Sequence, residues 1–133
     1  MAKKSKMKRP EQIIQIHVAS HLAKIEAFTG AFTFFHVPNG GYRTAAEGSI
    51  FKQMGVRAGV PDLVIMIKGG KTVFIELKAG EKSKTTENQD EYAVKLKALG
   101  FVCELVCADN AVSAREQIMK ILKREGAQMG VFK

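Results

Sequence analysis

The sequence predicts an α/β fold, a mixed β-sheet with helices packed against it in the order α-β-α-β-β-α-β-α. Three observations predict it. Ile14, His17, Val18, His21, Leu22 and Ile25 fall on one helical face; two apolar strand-like runs meet across Gly69-Gly70; and residues 86–122 alternate helix, strand and helix patterns. Taken in order, Pro10 suits the first turn of a helix running to about Phe28, with Gly30 as its stop. His17 and His21 stand one turn apart on it, a spacing that can bind metal, but the apolar stripe around them favours packed or half-exposed histidines. Val18 also replaces the glutamate that a His-Glu-x-x-His protease motif needs. Residues 32–37 form a short aromatic-rich strand, Pro38-Asn39-Gly40-Gly41 a turn, and residues 43–54 a second helix ended by Gly55. Residues 61–67 and 72–78 are the next two strands. A helix over 86–99 follows, with Tyr92, Leu96 and Leu99 inward and Gly100 as its stop. Residues 101–107 are the fourth strand. Asp109 or Asn110 caps a last helix through Leu122, whose inward face is Ala114, Ile118, Ile121 and Leu122.

With 133 residues and 46% apolar content, the chain reads as one globular domain over 10–133 preceded by a basic, flexible tail over 1–9. No apolar run approaches the roughly 18 residues that span a bilayer, and no apolar stretch follows the N-terminal charges as in a secretory signal. A cytoplasmic address and no membrane partner are expected. The net charge is +8, with five of the positive charges in the tail, and this balance favours a polyanionic partner. Cys103 and Cys107, four residues apart on a strand, would have Cα atoms about 13 Å apart at about 3.3 Å per residue, too far for a disulfide. They are expected to be buried thiols.

The chemistry concentrates in Gly59-Val60-Pro61-Asp62-Leu63 and Phe74-Ile75-Glu76-Leu77-Lys78. Glu76 and Lys78 interrupt an apolar strand at i and i+2 and so share a face, and a half-buried strand tolerates an acid there only if something answers its charge. The glycine hairpin decides where Asp62 stands. A two-residue loop at 69–70 sets Asp62 opposite Leu77; a three-residue loop over 68–70 sets it opposite Glu76. The three-residue loop, or a bulge of equal effect, is the expectation. Two carboxylates at that separation repel, and a divalent cation relieves the repulsion; hard oxygen ligands suit Mg²⁺ or Mn²⁺. Lys78 is then placed to position the attacking water or to stabilise developing charge.

Pro61-Asp62 followed by Glu76-Leu77-Lys78 resembles the signature of the PD-(D/E)XK nuclease superfamily. The series Pro38-Asn39-Gly40-Gly41-Tyr42-Arg43, Lys52-Gln53-Met54-Gly55, Gly59-Val60-Pro61-Asp62-Leu63, Glu76-Leu77-Lys78, Gln89 and Leu99-Gly100-Phe101 is similar, more narrowly, to the virus-type replication-repair nuclease (VRR-NUC) domain over residues 11–122. The resemblance implies a restriction-endonuclease-like fold. It also implies a metal held by Asp62 and Glu76 with the Leu77 carbonyl, Lys78 as the catalytic lysine, Gln89 near the site, and Glu11 as a further carboxylate at the start of the first helix. Glu11 equally suits the positive end of a helix dipole, and Gln89 equally completes a capping box with Thr86.

Asn39, Gly40, Gly41 and Arg43 are candidates for holding a phosphate, Lys82 and Lys84 for tracking the DNA backbone, and Tyr42 for stacking on a base. His36 lies beside this turn and is expected to be structural. Small members of the resembled family imply a homodimeric endonuclease on branched DNA of the Holliday-junction type, with Phe32, Phe34, Phe35, Val131 and Phe132 as candidates for the dimer surface. Flap or duplex cleavage on the same fold, and a non-catalytic DNA-binding module, are the alternatives.

Overall fold

The computed structural model describes residues 9–38 and 44–130, and its elements follow the predicted order. Helix α1 (Pro10–Thr29) leads into β1 (Phe32–His36) and α2 (Ala45–Gln53). The hairpin β2 (Leu63–Ile67) and β3 (Lys71–Ala79) precedes α3 (Glu87–Ala98), β4 (Val102–Ala108) and α4 (Ala111–Arg124). The strands lie in the order β1-β2-β3-β4, with the first two pairings antiparallel and β3–β4 parallel, so the sheet is mixed. The parallel pair needs a crossover, and α3 supplies it.

The hairpin has the three-residue loop. Ile67 pairs with Lys71 and Leu63 with Ile75, and the Gly70 amide closes the turn on the Ile67 carbonyl at 3.0 Å. Gly69 and Gly70 take φ values of 102° and 99°, which a side chain would disfavour. This register separates the two sheet faces. Leu63, Ile65, Val73, Ile75, Leu77 and Val106, each 0% exposed, point to one face and form the main core with Ile14, Val18, Leu22 and Ile25 of α1 and Ala114, Ile118 and Leu122 of α4. The other face carries Val64, Phe74, Glu76, Lys78 and Cys103 beneath α3, with Phe74 packed edge-on against Phe101, ring centroids 5.5 Å apart.

Several expectations are corrected in detail. The second helix begins at Ala45 because the Thr44 side chain accepts the Glu47 amide at 3.1 Å and sets the N-terminus there. Leu99 is 74% exposed, since it is the C-cap of α3 and the chain turns away at Gly100; Leu96 alone on that helix is buried. Phe32 is buried and Phe34 packs on the core, so neither is free for a dimer surface, whereas Phe35 is exposed. Cys103 and Cys107 are free thiols as expected, but Cys107 is only half-buried. Among the described residues no helix is long and apolar enough to cross a membrane.

Substituting Ile75→Ala should cost about 2–5 kcal/mol through the cavity left in the main core. Met66→Ala, on the opposite face and 37% exposed, should cost less than about 1 kcal/mol. Equal losses in urea unfolding would mean that the hairpin is paired in another register.

Candidate active site

The site assembles at the C-terminal end of β3, on the sheet face covered by α3. Asp62 lies one residue before β2, where the ladder places it opposite Glu76. Its backbone is pinned from β1: the Asp62 carbonyl accepts the Val37 amide at 2.7 Å and lies 2.9 Å from His36 Nδ1. His36 therefore acts on the site by anchoring the Asp62 segment. The Asp62 side chain is aimed from β3, Oδ2 accepting the Leu77 amide at 3.0 Å. Leu77 thus contributes its amide directly, to orient the acid.

Glu76 is the one buried charged residue in the described chain, at 6% exposure. Gln89 Nε2 donates to its Oε1 at 2.6 Å, and Lys78 Nζ stands 3.7 Å from the same oxygen. With both carboxyls ionised, Oε2 is buried and meets no hydrogen-bond donor. Burial first, and the Asp62 charge second, push the Glu76 carboxyl up to about 8, with Lys78 pulling the other way. The protonated form is further favoured because it hydrogen-bonds the Asp62 side chain.

Gln89 makes the capping-box contacts and also reaches the acid pair. Its Oε1 accepts the Thr86 amide at 2.9 Å while its own amide donates to Thr86 Oγ1 at 3.3 Å, completing the capping box, and its Nε2 reaches Glu76. A primary amide has an acceptor and a donor end, so the two roles coexist. The first turn of α3 is held against the site by Gly59. At φ +83° a Cβ there would lie 2.1 Å from the Asn88 carbonyl oxygen and 2.8 Å from the Gln89 nitrogen. The Gly59-Val60-Pro61-Asp62 run was legible as a motif, but this packing of backbone on backbone was not. Arg57, which sequence reasoning passed over, sits 5.5 Å over the Tyr92 ring and helps tie the same loop to α3.

The remaining candidates are distributed differently. Glu11 is exposed in the first turn of α1, and among the described residues no three His, Cys, Asp or Glu side chains are grouped to hold a metal. Lys82 and Lys84 are exposed on the loop leaving β3. Asn39, Gly40, Gly41, Tyr42 and Arg43, like Val131 and Phe132, lie outside the described residues. His17 is exposed and His21 half-buried on α1, and neither joins a metal-binding group among the described residues.

The donor set fits a hard divalent cation. Two carboxyl groups, one with a buried oxygen that no protein donor meets, bring hard oxygen donors together there. Comparison with known structures agrees with this architecture. A chain described as a VRR_NUC domain protein superposes with a TM-score of 0.65 at 24% identity, covering 89% of this chain and 92% of its own. A second, described as a VRR_NUC domain, gives 0.56 at 17% identity, covering 84% and 97%. No family model and no curated protein sequence matches the chain. The chain therefore has the VRR-NUC fold.

Two outcomes follow. Because the folded state holds the Glu76 proton up to about pH 8 and an unfolded glutamate only to about 4.5, the folded state binds more protons between them. Without added metal, stability should fall as pH rises across that window, and Glu76→Gln should flatten the fall in urea titrations. Gly59→Ala should destabilise by about 1–3 kcal/mol through its positive φ and the clash with α3, read by thermal unfolding.

Proposed function

We propose that this chain is a divalent-metal-dependent nuclease that hydrolyses phosphodiester bonds in DNA. The observation that supports it most is the buried, donor-less Oε2 of Glu76 beside the Asp62 carboxyl. An acid pair so placed destabilises the fold in its ionised form, and a bound cation converts that penalty into affinity.

Asp62 and Glu76 would hold Mg²⁺ or Mn²⁺, with the Leu77 carbonyl as a further ligand. When bound, the ion supplies acidification of a water and neutralisation of the phosphodiester oxygens. The protein's own residues set the geometry. The Leu77 amide fixes one oxygen of Asp62, leaving the other to face the ligand. Gln89 fixes Oε1 of Glu76, leaving Oε2. The Lys78 side chain is 15% exposed and its ammonium stands 3.7 Å from Glu76 Oε1. It donates hydrogen bonds to the attacking water or to a phosphate oxygen, stabilising charge that grows in the transition state. Glu11 belongs to the reading only as an outlying carboxylate on α1. Lys82 and Lys84 extend the basic surface past β3, and Asn39, Gly40, Gly41 and Arg43 are included on sequence grounds.

For the substrate, the reading is branched DNA of the Holliday-junction type cut by a homodimer, whose two sites would meet the two exchanging strands across a two-fold axis. The VRR-NUC fold and the sequence resemblance support this choice.

The test compares a four-way junction with linear duplex at equal phosphate concentration, in Mg²⁺, Mn²⁺ or EDTA. Junction cleavage that requires metal is expected. Lys78→Ala should keep its fold and bind DNA within about twofold while losing turnover by roughly 10²-fold or more. An active Lys78→Ala enzyme overturns the role of the lysine, and preference for linear duplex overturns the substrate. Salt-sensitive binding with no cutting in either metal overturns catalysis itself.

A further inference from the structure

The sheet face opposite the acid pair carries a separate concentration of positive charge. Along α1, His17, His21 and Lys24 lie on successive turns, and α4 brings Arg115 and its first turn, Ala111 and Val112, against them. Together they line an open cavity of about 320 Å³. None of the residues lining it is acidic, and the first turn of α4 holds no acid either. Burial first, then the charges of Arg115 and Lys24, keep the His21 ring below its usual pKa, which places both cations within effective electrostatic range of it. Lys24 and Arg115 are like charges with no acid among the lining residues, and an anion with several oxygens would relieve their repulsion.

The location says where that anion comes from. α4 follows β4 directly, and Ala108, at the end of β4, pairs with Ala79, one residue beyond Lys78. The Gly80 amide donates to the Ala108 carbonyl at 2.7 Å and the Glu81 amide to Asp109 Oδ1 at 3.3 Å, joining the two strand ends. The first turn of α4 therefore stands at the same end of the sheet as Lys78, on its other side. A polyanion long enough to pass around this end would reach both.

We propose that the cavity between α1 and the start of α4 is a second phosphate-binding site, which grips the DNA backbone away from the bond being cut. It rests on the nuclease reading for the identity of its polyanion and on its own geometry for the anion.

The experiment uses the full chain carrying Lys24→Ala and Arg115→Ala, both exposed positions outside the acid site. Lys120→Ala with Lys123→Ala, exposed further along α4, is the control for equal loss of charge. Binding to a four-way junction is measured in EDTA over a range of salt. The cavity variant should lose about tenfold or more in affinity, and its log K against log salt slope should shrink by roughly two relative to the unaltered chain, clearly more than the control. Metal-dependent turnover of a small chromogenic phosphodiester should stay unchanged. Equal losses in variant and control overturn the site. Inorganic phosphate that shifts amide resonances of α1 and α4, with DNA affinity matching the control, assigns the cavity to free phosphate and overturns its role in DNA binding. An unaltered chain that binds the junction and cuts it, beside an unimpaired cavity variant, overturns this site alone. Failure of the unaltered chain to bind any DNA overturns the nuclease reading as well.

Discussion

Pairing of β2 with β3 through a three-residue turn is the constraint on which the rest of the molecule depends. It turns Leu63, Ile65, Ile75 and Leu77 toward α1 and α4, and in the same step sets Asp62 opposite Glu76 on the far face. A slip of one residue would reverse every side chain of one strand, exposing the core and separating the acids together. Full burial of each aliphatic side chain is worth about 1.5–3 kcal/mol, so several on one ladder outweigh the repulsion of a single carboxylate pair. The core therefore holds an electrostatically unfavourable acid pair in place.

Around the pair, each acid is positioned by a group that has a second task in the fold. Leu77 fills the core with its side chain and orients Asp62 with its amide. His36 and Val37 bind the Asp62 carbonyl from β1. Gln89 caps α3 and fixes Glu76. Such sharing suits a chain of this size, where few residues can be given to a site alone. It also makes the approach of α3 decisive, since the contact of Gly59 with the Asn88–Gln89 backbone sets how far the glutamine reaches.

The two faces of the sheet divide the electrostatic work. Beneath α3 a buried acid is offset by one partly buried lysine; between α1 and α4 the cavity holds Lys24, Arg115 and two imidazoles, with no acid among its lining residues. The parallel β3–β4 pair carries both to one end of the sheet, because a parallel crossover sends β3 and β4 out on the same side. One backbone path therefore relates the acid pair to a charged surface on the far side of the sheet.

Local patterns carried the element order and the inward faces of α1 and α4, because period, turn glycines and strand alternation are short-range properties of the chain; the three-residue hairpin loop was expected because it alone sets Asp62 opposite Glu76. Leu99 and Phe32 were misplaced because apolar character does not say on which side of a helix end or sheet edge a neighbour will arrive. The double use of Gln89, the anchoring of Asp62 by His36, the closeness of Gly59 to α3 and the shared cavity of Lys24 and Arg115 each join residues far apart in sequence. Contacts of that kind arise from how layers pack and how far apart they settle, distances that no local spacing of residues encodes.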